Sequence, residues 1–359
     1  LYFLQANKDV VETFYNYKEL SVIRIAINGF GRMGRLGLRQ AFDWEGVEFV
    51  HINEIATDAA GSAHLLNYDS AHGRWHHKAG EQNGQILINN QSIGYSSYKA
   101  VEDFDWGALN VDVVLECTGA FRTRAQLQPY FDQGVKQVIV AAPLKEDVKN
   151  IVMGINDDIF VAGEDQLITA ASCTTNCIAP VIKVLHEQIG ISHGSITTMH
   201  DRTNTQKVVD HGHKDWRRAR SSFESLIPTS TGSATAIGTI FPELNGRLDG
   251  IAVRVPFMNA SLTDLVMEMK RPTSVNEVNQ LFKQASESYL KNILGYEDLP
   301  LVSVDFEGET CSSVIDALST RVINDTHVKV LAWYDNEIGY MQRMMELALK
   351  VGAANQALS

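Results

Sequence analysis

The sequence predicts an α/β protein: a doubly wound, parallel-sheet domain followed by an α+β domain on a mixed or antiparallel sheet. Three observations predict it. Short β-branched runs alternate with helical patterns up to residue 172, the rhythm of a parallel sheet with crossover helices. A glycine-rich turn joins the first such run to the first helical pattern. After Cys173 the strand-like runs lengthen and fewer helices separate them, as in sheets whose strands follow one another directly.

The elements follow in order. "SVIRIAING" reads as a strand from Val22, "GFGRMGRLGLRQAFDW" as a glycine turn entering a helix, and "VEFVHINEI" as a second strand. "VDVVLECTG", "KQVIVAAP" and "QLITAAS" read as further strands, and "TRAQLQPYFDQG" as a helix stopped by Gly134. In the second half "HGSITTMHDRT", "GIAVRVPF", "SLTDLVMEMKRP" and "HVKVLAWYD" are strand-like. The last helix, "NEIGYMQRMMELALKVGAAN", carries Met341, Met344, Met345, Leu347 and Leu349 as apolar residues. The polar connection "TNTQKVVDHGHKDWRRARSSFES" is too long for an idle loop and points to a functional segment. On this reading residues 1–20 are an N-terminal extension and 21–172 the doubly wound domain. Residues 173–335 form the second domain, and the helix over 336–359 packs back on the first.

With 359 residues the chain can bury two cores. Its net charge of −12 disfavours nucleic acid or an anionic membrane surface as partner. An anionic substrate then needs a local cluster of Arg, Lys and backbone N–H groups. Four cysteines are too few for a disulfide scaffold, which predicts a reducing, cytoplasmic setting. No run approaches the ~18 apolar residues that a membrane span requires. The opening segment lacks the basic and apolar regions of a secretory signal.

"NGFGRMG" sets Gly29, Gly31 and Gly34 in G-x-G-x-x-G spacing. The pattern is weak alone, but here it follows a strand, opens a helix and has Glu54 at the end of the next strand, which is the context of a Rossmann dinucleotide site. Gly29 permits the tight turn, Gly31 lets backbone approach a pyrophosphate, and Gly34 allows close helix–sheet packing. The helix start supplies N–H groups and positive potential. Glu54 suits ribose hydroxyls and repels a 2′-phosphate, favouring NAD over NADP.

"TAASCTTNCIAP" holds Cys173 and Cys177, four apart. That spacing meets half of a zinc rule, but His200 lacks a companion three to five residues on, and Cys117 and Cys311 are isolated. No metal site is expected. A nucleophile fits better. The segment follows a strand and precedes the apolar series Ile178, Val181, Ile182, Leu185, Ile189, while Ser172, Thr174 and Thr175 are capping residue types. Cys173 then sits at a helix start, where the dipole and open N–H groups favour a thiolate and can hold an oxyanion. Cys177, one turn on, reads as an inert packed thiol. Pro180 is expected to bend the helix or cut it short. Among 11 histidines, His200 stands at a strand end before "DRTNTQ", where a base for Cys173 belongs. The pairs His76–His77 and His211–His213 are left without a role.

"INGFGRMGR", "ASCTTNC", "HDRTNTQ", "HKDWRRAR", "IPTSTGSATAIG", "PELNGRLDGIAVRVP" and "AWYDNEIGY" occur in the order and spacing of the glyceraldehyde-3-phosphate dehydrogenases. The chain resembles that family from about residue 21 to its C-terminus. The resemblance implies an NAD-dependent, phosphorylating aldehyde dehydrogenase that is a homotetramer, with Cys173 as nucleophile and His200 as its base. It implies that Thr203, Arg218 and Arg254 form one part of the phosphate-binding set, and Ser172, Thr174, Thr231 and Gly232 the other. Asn28, Gly29, Gly31, Arg32, Met33, Glu54 and Thr118 are implied to hold the dinucleotide, and Asn336 to orient the nicotinamide carboxamide. The implied substrates are glyceraldehyde 3-phosphate and inorganic phosphate or arsenate, through a thioester on Cys173.

The match departs from the common glycolytic pattern. "INE" ends the second strand where an Asn–Asp pair is usual, so Glu54 replaces an Asp, and "EIGY" replaces "EWGY". "AAGSAHLLNYDSAHGR" is also similar to erythrose-4-phosphate dehydrogenase, while the glycine of "STGSATAIG" is that of the phosphorylating enzymes. "HINEIA", "AHGRW", "HGSITT" and "VRVPFMNASLTD" together resemble the type associated with bacterial arsenic-resistance operons, in which arsenate replaces phosphate as acyl acceptor. The alternatives are erythrose-4-phosphate oxidation, which needs no inorganic phosphate, and a non-catalytic, redox-sensing binding protein of the same fold.

Overall fold

A computed structural model describes residues 22–144 and 146–358; the N-terminal extension lies outside them. The described chain divides into two compact units. One holds the residues up to Met153, Asp157–Ala171 and those from Met341 on; the other holds Gly154–Asn156 and Ser172–Tyr340.

The first unit runs β1 (Ile23–Asn28), α1 (Arg32–Ala41), β2 (Val47–Asn53), α2 (Ala59–Asn67), the short pair β3 (Tyr68–Asp69) and β4 (Gly73–Arg74), then β5 (Ala79–Gln82), β6 (Gln85–Ile88) and β7 (Gln91–Ser96). It continues with β8 (Val113–Glu116), α3 (Arg124–Asp132), β9 (Val138–Val140), β10 (Lys149–Asn150) and β11 (Leu167–Thr169). The sheet order is β10-β11-β9-β8-β1-β2-β7-β6-β5. Pairs from β10 to β7 are parallel, and β7-β6 and β6-β5 are antiparallel. The expected doubly wound sheet is present, extended at one edge by a meander. Its central strands are buried on both faces: Ile25, Ile27, Val113, Val114 and Ile139 are all inaccessible, so these runs read as continuously apolar. Thr123 caps α3 in a reciprocal box with Gln126, and Gly134 at φ +87° follows its end.

The second unit is built on α4 (Cys173–Gln188), β12 (Ile191–His200), β13 (Ile227–Ser230), α5 (Ser233–Ile240), β14 (Leu248–Arg254), β15 (Ser261–Met269), α6 (Val275–Glu287), β16 (Leu294–Glu297), β17 (Ser313–Ile323) and β18 (His327–Tyr334). Its sheet order is β13-β14-β12-β15-β18-β17-β16. It is mixed: β12-β14 and β16-β17 are parallel and the other pairs antiparallel. In β15 every second residue is buried, as in a sheet with one covered face. The covering helix α4 is apolar around its circumference, with Cys177, Ile178, Ala179, Val181, Ile182, Val184 and Leu185 all inaccessible. It runs unbroken through Pro180, so the proline does not cut the helix short.

The last helix, α7 (Ile338–Gln356), belongs from Met341 on to the first unit. There Gln342 accepts from Gln40 at 2.5 Å, Gln356 reaches the Val22 carbonyl at 3.3 Å, and Gly352 lies where a Cβ would meet Ile23 at 2.6 Å. Among the described residues, no helix is long and apolar enough to cross a membrane.

Candidate active site

In the first unit, the turn from β1 into α1 is built by two forced glycines. Gly29 has φ +89°, and a Cβ on it would meet the Thr118 nitrogen at 2.5 Å; one on Gly34 would meet the Gly29 carbonyl oxygen at 2.3 Å. A Cβ on Gly31 would meet nothing within 4 Å. Gly31 is the N-cap of α1 and makes no side-chain capping bond there, so no capping side chain covers the helix start. An open, side-chain-free cradle at a helix N-terminus fits the pyrophosphate of a dinucleotide.

The predicted dinucleotide residues gather around this turn. Arg32 begins α1 and its guanidinium pairs with Asp69 at 2.5 Å; Met33 follows it, half-buried. Backbone N–H donors, together with Arg32, hold the Asp69 carboxyl near pKa 2 against the opposing effect of burial. The Glu54 carboxylate accepts from the backbone N–H of Phe30 at 2.7 Å, Ile55 at 2.8 Å and Ala56 at 2.7 Å. With about four acceptor positions on a carboxylate, it keeps capacity for a ribose hydroxyl. Thr118 donates to Glu116 through its backbone N–H at 2.9 Å and through its hydroxyl. Asn28 is buried below the loop, donating to Glu116 at 2.9 Å and accepting from Asn53 at 2.8 Å. Its side chain props the turn from below.

In the second unit, Cys173 is the first residue of α4. Ser172 is the N-cap, its Oγ accepting from the Thr175 N–H at 3.1 Å. Cys173 Sγ lies 3.5 Å from His200 Nε2 and is half-buried. Parallel pairing of β12 and β14 sets His200 directly beside Arg254, whose Nη1 is 2.7 Å from His200 Nδ1. Burial lowers the basicity of His200, but the Asp201 carboxylate and the Cys173 sulfur more than offset it, leaving a pKa of about 9. Cys177 is enclosed against Thr263 at 3.6 Å and the Ala332 carbonyl at 3.9 Å; burial pushes its thiol up to about 12. One thiol is therefore accessible to chemistry and the other is packing.

The predicted anion-binding residues surround this pair unevenly. Thr174 is buried with its Oγ 3.1 Å from the Tyr334 hydroxyl. The Ser172 hydroxyl is 3.5 Å from that of Ser233, which accepts from Thr231 at 3.0 Å. Gly232 is the N-cap of α5, again without a side-chain cap. A hydroxyl chain thus connects the starts of α4 and α5, both offering N–H groups. Arg254 Nε is buried and meets no acceptor among the described residues. Burial holds the Arg254 guanidinium below its usual pKa, and the like charge of Arg218 adds to this against the pull of Cys173. An orphan N–H and two mutually repelling guanidiniums fit a bound dianion. Arg218 is itself anchored to the Thr229 hydroxyl at 2.7 Å and the Ser230 carbonyl at 3.3 Å. Thr203 is turned to its own loop, 2.9 Å from Thr205 and 3.1 Å from Gln206, and makes no hydrogen bond to Cys173, His200 or Arg254.

Asn336 donates to Asp201 Oδ2 at 2.8 Å and accepts from Ser261 Oγ at 2.9 Å. Asp201 and Ser261 were not singled out in the sequence. The only available signal was an acidic residue directly after the candidate base. His76 and His77 share the Asp43 carboxylate at 3.0 and 2.8 Å, the three offering ligand atoms within 4.8 Å of one another in the first unit.

Comparison with known proteins bears on these two halves separately. Residues 23–124 match the model of the NAD binding domain of glyceraldehyde 3-phosphate dehydrogenase, and residues 172–336 match its C-terminal domain. The chain is 59% identical over 330 residues to glyceraldehyde-3-phosphate dehydrogenase 3 of Nostoc sp., covering 92% of this chain and 98% of that one. The chain belongs to the glyceraldehyde-3-phosphate dehydrogenase family. It is 46% identical to glyceraldehyde-3-phosphate dehydrogenase of Geobacillus stearothermophilus (92% of this chain, 98% of that one). It is also 46% identical to glyceraldehyde-3-phosphate dehydrogenase 1 of Bacillus subtilis (91% and 97%). The family's NAD-binding part thus covers the glycine turn and Glu54, and its C-terminal part covers Cys173, His200, Arg254 and Asn336.

Proposed function

We propose that the protein is an NAD-dependent, phosphorylating glyceraldehyde-3-phosphate dehydrogenase that works through a thioester on Cys173. The observation that carries this reading is the Cys173–His200 pair at 3.5 Å beside an orphan guanidinium N–H on Arg254. Residues 21–172, with the helix over 336–359, are assigned to cofactor binding and 173–335 to catalysis.

Cys173 thiolate adds to the aldehyde carbon, and His200 Nε2 gives its proton to the carbonyl oxygen. The Cys173 N–H at the start of α4 supports the developing alkoxide. Held by the glycine turn and Asn336, NAD would supply the acceptor for the hydride on the same carbon. The hydroxyl proton returns to His200 Nε2 as the C–H bond breaks, and a thioester remains on Cys173. Inorganic phosphate attacks that thioester, Cys173 thiolate leaves, and 1,3-bisphosphoglycerate is released. Arg218 and Arg254 with Thr203, and Ser172, Thr174, Thr231 and Gly232, serve the substrate phosphate and the attacking phosphate. Asn28, Gly29, Gly31, Arg32, Met33, Glu54 and Thr118 hold the dinucleotide, and Asn336 orients the nicotinamide amide. General acid–base help of the kind assigned to His200 contributes about 10²–10⁴-fold.

The finer assignment is to the arsenic-resistance-associated type, on the resemblance of "HINEIA", "AHGRW" and "VRVPFMNASLTD". Arsenate then serves as acyl acceptor, giving 1-arseno-3-phosphoglycerate, because the same N–H and guanidinium groups fit either tetrahedral anion. A cytoplasmic homotetramer is the assembly we assign. It is supported by the exposed apolar residues Val208, Val209, Trp216, Phe223 and Leu226 in the long connection before β13.

The test is NADH formation by the full chain with glyceraldehyde 3-phosphate or erythrose 4-phosphate, each with phosphate, arsenate or neither. Phosphate- or arsenate-dependent turnover of the triose supports the reading. Oxidation of the tetrose alone, without either anion, overturns it in favour of erythrose-4-phosphate dehydrogenase.

A further inference from the structure

Asp201 directly follows the base and is 1% exposed. Its Oδ1 is 2.7 Å from His200 Nδ1 and its Oδ2 accepts from Asn336 Nδ2 at 2.8 Å. A closed ring of hydrogen bonds holds it there. The Asp201 N–H donates to Ser261 Oγ at 3.1 Å, Ser261 Oγ donates to Asn336 Oδ1 at 2.9 Å, and Asn336 returns to the Asp201 carboxylate. Ala260, just before Ser261, takes the left-handed region at φ +61° to present that hydroxyl, a conformation costing about 1–3 kcal/mol.

We propose that Asp201 is a positioning residue of the reaction: it fixes a proton on His200 Nδ1, so that Nε2 faces Cys173 as the end that gives and takes the reacting proton. The inference rests on the reading of His200 as the base of Cys173.

A count of donors and acceptors carries the argument. Three groups crowd His200 Nδ1: Asp201 Oδ1 at 2.7 Å, the Asp201 carbonyl at 3.0 Å and Arg254 Nη1 at 2.7 Å. A bare Nδ1 accepts from Arg254, but then sets its lone pair 2.7 Å from Asp201 Oδ1, a buried oxygen with no hydrogen-bond donor among the described residues. An unpaired buried carboxylate oxygen is among the costliest defects a site can hold. A protonated Nδ1 makes the 2.7 Å approach to Asp201 Oδ1 attractive, and Arg254 Nη1 still has the Asp201 carbonyl at 3.1 Å as acceptor. Only the second arrangement gives that carboxylate oxygen a proton to face. With Nδ1–H fixed, Nε2 is the titrating nitrogen, and the negative charge of Asp201 favours the doubly protonated ring.

The groups facing the imidazole are Cys173 from α4, Asp201 beyond the end of β12, Arg254 from β14 and the Tyr334 ring, 6.1 Å away, from β18. Arg254 opposes the imidazolium, while Asp201 and Cys173 favour it, in keeping with the pKa of about 9. Asp201 also carries the amide of Asn336, so one carboxylate sets the orientation of both the base and the amide.

The test follows the pH dependence of Cys173 alkylation by iodoacetamide in the full chain, without aldehyde, phosphate or NAD. Wild type should show an upper inflection near pH 9. In Asp201→Asn, which still accepts from Asn336, that inflection should move down by about one unit or more, as expected when an opposite charge within hydrogen-bond distance is removed. Dehydrogenase kcat should fall about 10–100-fold, at or below the low end of a general base's contribution. Asp201→Ser, smaller and open to water, should move the inflection the same way. The variant-free arm is the wild-type proton spectrum, which should contain a strongly downfield Nδ1 proton that His200→Gln removes. An unmoved inflection in either folded variant, or no such proton in wild type, overturns the proposal. Normal alkylation behaviour without aldehyde oxidation would instead count against the dehydrogenase reading alone.

Discussion

Cys173 and His200 meet at 3.5 Å across α4 and β12, while Cys177, one helical turn on, is sealed against Thr263 and the Ala332 carbonyl. The two cysteines of one motif therefore differ in chemistry by position alone. Iodoacetamide at neutral pH should label Cys173 in the folded protein and leave Cys177 unmodified, its thiol pushed up to about 12 by burial. Peptide mapping reads the outcome. Cys177→Ala should keep activity and lose on the order of 1 kcal/mol of stability, the scale of a small buried cavity; Cys173→Ser should lose activity with stability unchanged.

Two glycines of the dinucleotide turn, Gly34 and Gly31, should separate by assay. Gly34→Ala forces a Cβ to 2.3 Å from the Gly29 carbonyl and should destabilise the protein by about 1–3 kcal/mol. Gly31→Ala adds a Cβ into open space, so the melting temperature without cofactor should hold. NAD binding, followed by titration, should weaken about 10-fold or more as the methyl fills the cradle.

Glu54 accepts three backbone N–H groups, and these tie cofactor choice to loop structure. Glu54→Gln replaces one acceptor oxygen with an NH₂ that faces a backbone donor. It should cost about 1–3 kcal/mol of stability, weaken NAD binding and improve NADP relative to NAD. A preference unchanged between the two cofactors would refute the role given to Glu54.

His200 has a folded pKa of about 9 against an ordinary 6.5. A group whose pKa is raised on folding contributes its stability in full below the unfolded value and loses it as pH rises through the folded one. Wild-type stability, measured by denaturant midpoint, should therefore decline from about pH 6.5 to about pH 9 by more than that of His200→Gln.

Arg254 carries an orphan N–H and repels Arg218. Arg218→Ala should act on anion binding and not on the proton chemistry, raising KM for the triose phosphate or for inorganic phosphate about 10–100-fold. That is the equivalent of a charge-assisted hydrogen bond of about 1.5–3 kcal/mol. Arg254→Lys should do the same and also shift the alkaline limb of the rate, because Arg254 touches His200.

Local rules made much of this legible. The buried strands of the first sheet are written as apolar β-branched runs, and the helix start at Cys173 as a strand, a capping serine and an apolar series. The meander over Ala79–Ser96 was not visible, because "AGEQNGQILINNQSIGYS" is polar and broken by glycine and asparagine, as an exposed edge must be. Pro180 does not end α4, because a helix so enclosed is held by packing on all sides, which outweighs one missing hydrogen bond. Asp201 was invisible for another reason. Its meaning depends on Ser261 and Asn336, 60 and 135 positions away, and no local pattern encodes which side chains a fold will bring to one carboxylate.

The central claim is that Cys173 carries the acyl group between the aldehyde and an oxyanion acceptor. The most direct measurement is mass spectrometry of the intact chain after mixing with NAD and glyceraldehyde 3-phosphate, with and without phosphate. The expected result is a phosphoglyceryl adduct on Cys173 without phosphate, discharged when phosphate or arsenate is added, and absent from Cys173→Ser. NADH formed at the wild-type rate by Cys173→Ser, or an adduct that phosphate and arsenate both fail to discharge, would contradict the account.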